Sequence, residues 1–140
     1  AHASQGSAGD RVIDSPFALN VVTITNITIV HGKLTGALSA ATQGGGIRNL
    51  GTMALNNVGV GLNIAPTGGG IYNEGNLTLN SSAVNSNTCA SSGGNCFGGG
   101  IHNFLSPGRT LSINASTVRQ NQVSANVPYS NHGAGVSVSG

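Results

Sequence analysis

Apolar and polar residues alternate in very short runs along this chain. Leu77-x-Leu79 and then Ser82-x-Val84 are typical, with polar or glycine residues on either side. A period of two over three to five residues predicts strands with one buried face. Helical periodicity appears nowhere, so the pattern predicts essentially no helix. No strand of this length could close a core alone, which raises the question of what it packs against.

The answer lies in repetition. Gly44-Gly45-Gly46-Ile47, Gly68-Gly69-Gly70-Ile71 and Gly98-Gly99-Gly100-Ile101 are near copies, and Gly133-Ala134-Gly135-Val136 is a weaker fourth. Their apolar anchors are 24, 30 and 35 residues apart. Periods of 20–50 residues signal a solenoid, propeller or array. Aligned on the glycines, Ile47, Ile71, Ile101 and Val136 form one apolar column. Further core columns run through Leu55, Leu79 and Ile113, and through Val60, Val84 and Val118, with Val22, Ile24 and Ile29 supplied by an earlier copy. Two asparagine columns accompany them: Asn49, Asn73 and Asn103, then Asn63, Asn87 and Asn121, with Gly32 at that place in the first copy.

About three short strands in 24 residues suit one coil of a parallel β-helix, each coil lying about 4.8 Å from the last. Like residues then stack on like, which accounts for aliphatic and asparagine ladders together. A propeller blade needs about 40 residues. A leucine-rich repeat would carry a helical half, and a sandwich would not keep glycine triplets in register. The expectation is an all-β, right-handed parallel β-helix of about five coils. Residues 1–10 read as a flexible N-terminal segment and residues 11–140 as a single solenoid, with coil motifs near 44–63, 68–87, 98–121 and 133–140. The insertions at about 88–97 and 122–132 read as variable loops and the best places for partner contact.

Composition narrows the function. Only 6% of residues are charged, and the formal charge of +2 with scattered basic residues gives no case for nucleic acid. No apolar run approaches 18 residues, so no transmembrane helix is expected. The chain starts Ala1-His2-Ala3, which reads as a processed chain or a cut fragment. Six residues, two of them glycine, stand between Cys89 and Cys96, a spacing open to a local disulfide in an oxidising compartment or to free thiols. Metal ligation is not expected, and no cofactor is implied.

"GGGIRNLGTMALNNVGVGLN", "GGGIYNEGNLTLNSSAVNSN" and "GGGIHNFLSPGRTLSINASTVRQN" resemble the repeats of bacterial right-handed parallel β-helix surface proteins, of the polymorphic-outer-membrane-protein-like and CSLREA-type groups. The likeness spans about residues 11–136. It implies an exported protein, located extracellularly or at the cell surface, with a structural or adhesive role.

Enzymes built on such coils need acids. Glycosidases use two carboxylates about 5–9.5 Å apart, and this chain has only Asp10, Asp14 and Glu74. Asp14 and Glu74 lie two coils apart in the alignment. They read as isolated solvated carboxylates, with a polysaccharide lyase or hydrolase as the alternative. His2, His31, His102 and His132 form no triad by spacing. Arg48, Tyr72 and His102 share an outward column, either an ordinary exposed stripe or a surface for sugars. The Thr-x-Thr of Thr23 and Thr25 is not kept beyond one coil, which argues against ice binding. Sequons at Asn26, Asn76, Asn80 and Asn114 are expected by chance in such repeats. The sequence therefore points to a non-catalytic structural or adhesive module. Its partners would be its own copies through open coil ends, the rest of a longer solenoid, or surface glycans.

Overall fold

The computed structural model describes residues 10–126 and 128–140. It is a parallel β-helix of four coils and the opening strand of a fifth, slightly fewer than the five expected. The first coil holds β1 (Ile13–Ser15), β2 (Val21–Thr25) and β3 (Thr28–Val30). The second holds β4 (Ile47–Asn49), β5 (Thr52–Asn56), β6 (Gly59–Gly61) and β7 (Ile64–Ala65). The third holds β8 (Ile71–Asn73), β9 (Asn76–Asn80), β10 (Ala83–Asn85), β11 (Thr88–Ser91) and β12 (Cys96–Phe97). The fourth holds β13 (Ile101–Phe104), β14 (Leu111–Asn114), β15 (Thr117–Arg119), β16 (Gln122–Ala125) and β17 (Asn131–His132), and β18 (Val136–Ser139) opens the fifth. The helical content among the described residues is one 3-10 turn at Ala40–Thr42.

Every strand pairs in parallel with its counterpart one coil away. The first sheet runs β1-β4-β8-β13-β18, the second β2-β5-β9-β14 and the third β3-β6-β10-β15. β7-β11-β16 and β12-β17 form two smaller sheets. The segments 88–97 and 122–132, expected as variable loops, thus carry β11, β12, β16 and β17. The third and fourth coils spend part of their extra residues on added strands. Irregular chain falls at residues 31–46, 92–95 and 105–110. Of the proposed N-terminal segment, residues 1–9, His2 among them, lie outside the described residues. Asp10 is already engaged, its carbonyl accepting from the Lys33 N–H at 3.0 Å.

The register stacks Ile13, Ile47, Ile71, Ile101 and Val136 in one column. Ile24, Leu55, Leu79 and Ile113 form another, and Ile29, Val60, Val84 and Val118 a third. The middle members are sealed. The last ones are not: Leu55 and Leu79 are 0% exposed, whereas Ile113 is 40% and Val136 36%. Ile113 and Val136, read from sequence as core, therefore sit at an open end, because no described coil covers them. Val118 is half-buried for the same reason.

Buried polar groups are satisfied along the axis. Asn49 Nδ2 donates to Asn73 Oδ1 at 2.8 Å and Asn73 Nδ2 to Asn103 Oδ1 at 2.7 Å. Asn63 donates to Asn87 at 3.0 Å and Asn87 to Asn121 at 3.1 Å. The amides of Asn49, Asn73, Asn63, Asn87 and Asn121 also serve backbone groups at the bend, which leaves the bend satisfied from within. The bends themselves use left-handed residues, one per corner. Gly44, Gly68, Gly98 and Gly133 line one corner with φ of 56–68°. A second corner holds Asn26, Asn57, Ser81 and Ala115, and a third holds His31, Leu62, Ser86 and Gln120, all at positive φ.

The third glycine of each triplet has a different task. A Cβ on Gly70 would lie 2.7 Å from the Gly100 carbonyl and 2.8 Å from the Asn87 amide. Ladder and glycine thus occupy one space, and only one of them can carry a side chain.

Candidate ligand-binding cleft

The outer face of the first sheet carries a column of Asp14, Arg48, Tyr72, His102 and Ser137. Period two does point these side chains away from the core. Yet Tyr72 is only 4% exposed and His102 3%. The stripe is therefore not the open surface column that alternation alone suggests, for it is covered by chain from elsewhere.

The cover is the irregular segment between β3 and β4. Its 3-10 turn is held by Ser39 and Thr42, whose side chain and backbone groups bond reciprocally. Arg11 fastens it to the coil through Nη1 to the Gln43 carbonyl at 2.9 Å and Nη2 to the Ala41 carbonyl at 2.7 Å. Farther out, Ala37 and Leu38 lie beside Gly93 and Gly94. Those glycines belong to the loop closed by the Cys89–Cys96 disulfide, whose Cα atoms are 5.7 Å apart. The disulfide loop thus backs the strap, and the strap roofs the stripe.

One carboxylate stands between two guanidinium groups at the foot of the stripe. Asp14 Oδ1 lies 3.4 Å from Arg48 Nη1 and 3.8 Å from Arg11 Nη1. Burial lowers the Arg11 pKa, opposed by Asp14. The Tyr72 hydroxyl donates to Glu74 Oε2 at 3.3 Å. Burial, and then the Glu74 carboxylate, push the Tyr72 phenol up to about 12. Burial pushes the His102 imidazole down to about 4. His102 is therefore neutral at ordinary pH. Its Nε2 lies 3.3 Å from Ser139 Oγ, while its buried Nδ1 has no hydrogen-bond partner.

Rings gather around that imidazole. Tyr72 lies 5.5 Å from it and Phe97 5.4 Å, centroid to centroid, and Phe97 stacks on His132 at 4.7 Å. Between strap and stripe is a cleft of about 270 Å³. Tyr72, His102 and Thr67 make its buried floor, and Leu38 and Phe104 stand half-exposed at its rim. Gln43, Phe97 and Ser139 complete the walls. The chain has two Tyr and three Phe, and three of these five line this one cleft. A larger hollow of about 390 Å³ beside Lys33, Leu34 and Ser91 has no ring in its lining.

Alternation found Arg48, Tyr72 and His102 as one column. It did not bring in Asp14, Phe97, Phe104 or the strap. The spacing of 34 residues from Ile13 to Ile47 was the available signal for the strap. Asp14 and Glu74, weighed as a carboxylate pair, each have a neighbour: Arg48 with Arg11 for one and Tyr72 for the other. Among the described residues no group of three His, Cys, Asp or Glu side chains could hold a metal, and no helix is long and apolar enough to cross a membrane. Compared with known proteins, the chain matches no family model, no curated protein and no solved structure.

Proposed function

We propose that this chain is a non-catalytic structural module of an extracellular or cell-surface protein, a stiff β-helix whose coil ends join to further coils of a second copy. One observation carries the reading. The ladders that are sealed in the middle coils run open at both ends of the described chain. At one end Ile113 and Val138 are 40% and 56% exposed, and at the other the ladder members Ile13, Val22 and Ile24 are only half-buried although Ile47, Met53 and Leu55 beneath them are sealed. Each end also presents the outer strand of several parallel sheets, an edge ready to take another strand. The two ends differ, so a contact between them is head to tail and propagates into a filament.

Export is supported by the disulfide, since such bonds persist in oxidising compartments. The low charge and the likeness of the glycine repeats to bacterial β-helix surface proteins support the same setting. The non-catalytic reading is supported by the way Asp14 and Glu74 are tied to neighbours rather than to each other.

Sedimentation and negative-stain electron microscopy of the full chain over a concentration series test the assembly. The expected result is rods that lengthen with concentration and that Val138→Lys shortens. Single particles of constant mass at every concentration would remove the filament reading.

A further inference from the structure

We infer that the cleft between the 37–43 strap and the outer face of the first sheet binds a single neutral sugar ring. This goes beyond the assembly proposed above and does not depend on it.

The argument starts from the walls. The floor presents two flat rings, Tyr72 and His102, and Phe104 stands at the rim. Hydroxyl and amide groups of Ser39, Gln43, Thr67 and Ser139 are spread among them. Binding sites for small molecules share this build, mostly apolar walls with a few placed polar groups. A pyranose matches it, with one C–H face for a ring and hydroxyls around its edge.

Charge sets the class of sugar. No acidic or basic side chain lines the cleft, and its one titratable imidazole is held neutral. The nearby cations Arg11 and Arg48 stand outside its lining, both against Asp14, with Arg11 also held by the Ala41 and Gln43 carbonyls. An acidic sugar would gain no partner there and would lose its hydration. The volume sets the size. At about 270 Å³ the cleft falls just below the ~300–1,000 Å³ of drug-sized sites, room for one ring rather than a chain of them.

His102 adds a further sign. It is 97% buried, from its 3% exposure, and its Nδ1 has no partner within the protein. Leaving such an atom unmatched costs stability unless something else satisfies it. That Nδ1 is itself shut off from the surface, so a sugar hydroxyl, which both donates and accepts and so serves either tautomer, meets it only where the strap gives way. The scarcity of rings elsewhere in the chain makes their collection at this cleft the more telling.

The test is NMR on the full, disulfide-intact chain, following the ring signals of Tyr72, Phe97, Phe104 and His102. The probes are methyl glycosides of glucose, galactose, mannose and N-acetylglucosamine, with glucuronate and glycerol as controls. At least one neutral glycoside is expected to shift these signals saturably, with a Kd on the order of 1 mM. Phe104→Ala is expected to weaken it about tenfold through loss of one aromatic contact, with the amide spectrum of the core unchanged. Asn114→Ala, on another face, should leave binding intact. Immobilised glycans ending in the responding ring separate a surface-borne sugar from a free one, and capture on either supports the site. The inference is overturned if no neutral glycoside shifts the rings saturably. It is equally overturned if glycerol or glucuronate does so as well, or if Phe104→Ala and Gln43→Ala both bind like the parent.

Discussion

Replacing Asn87 by Ala tests whether the asparagine ladders hold the corners. Asn87 is fully buried. Its Oδ1 accepts from the Asn63 backbone N–H at 3.1 Å and from Asn63 Nδ2 at 3.0 Å. Its Nδ2 donates to the carbonyls of Val60 at 2.9 Å and Asn85 at 3.2 Å, and to Asn121 Oδ1 at 3.1 Å. Alanine removes all of these. Asn63 Nδ2 keeps the Ile29 carbonyl at 3.0 Å, but the Asn63 backbone N–H loses the partner described for it. A stranded buried donor costs about 1–3 kcal/mol, and the void left by the amide adds to that. The expected loss is about 3–5 kcal/mol, a large part of the ~5–15 kcal/mol that holds a typical domain. Asn114→Ala is the matched control. It removes one exposed amide bond to Asn80 Oδ1 at 3.0 Å and should cost no more than about 0.5 kcal/mol. Equilibrium denaturation with urea reads both. If the Asn87→Ala midpoint moves no further than that of Asn114→Ala, the buried ladder is not what fixes the bend.

Three further outcomes follow from the same geometry. Gly70→Ala should destabilise by about 1–3 kcal/mol through overpacking, whereas Gly135→Ala, whose Cβ would come no nearer than 3.8 Å to Val118, should be neutral or gain about 0.4–1 kcal/mol; equal denaturation midpoints would refute the crowding argument. The Cys89→Ala/Cys96→Ala pair opens a loop of sequence separation 7, which chain entropy values at about 2.5 kcal/mol; melting the parent with and without reductant should show the same loss, and a melt indifferent to reductant would refute it. His102, with a folded pKa of about 4 against an ordinary 6.5, binds its proton more readily unfolded, so its contribution is complete above 6.5 and is lost as pH falls towards 4. His102→Phe should flatten that part of the stability curve, and an imidazole that titrates near 6.5 by NMR would overturn the burial.

The repeat was legible because stacking forces like residues into one column. Ile47, Ile71 and Ile101 announce their register, and the asparagines repeat it. The first strand, Ile13–Ser15, carries no such mark. There Asp10, Arg11 and Val12 stand where later coils have glycines, and Gly32 stands where they have the ladder asparagine. A Cβ on Gly32 would run into the Gly45 carbonyl first and would also lie 3.1 Å from Val12 Cγ2. Bulk and space have changed places, which preserves the packing while erasing the motif. The left-handed corners were hidden for another reason. Leu62, Ala115 and Gln120 adopt positive φ although their side chains disfavour it by about 1–2 kcal/mol. The stacked coils impose that conformation, so the residue type does not report it. The same holds for Tyr72 and His102, whose orientation follows from alternation but whose burial is decided by a strap 29 or more residues away.

That strap explains how a repetitive rod comes to have one distinctive place. The glycine triplets form a corner without side chains, running beside the column of Ile47, Ile71 and Ile101. On the far side of that corner stand Gln43, Thr67 and Phe97, bridged coil to coil. A corner without side chains between two columns that bear them is a groove along the axis. Left open, it would be shallow and alike on every coil. Unequal coil lengths break the likeness. The second coil is the shortest, at 24 residues between Ile47 and Ile71, and opposite β12 it offers only the single bridge of Thr67. The long first coil spends its surplus on the strap, and the third spends its surplus on the disulfide loop that backs it. The short coil leaves room and its long neighbours enclose it, so the cleft is a product of the differences between repeats. Substitutions in the strap or the disulfide loop should therefore alter the cleft while the ladders, and the rod they hold together, persist.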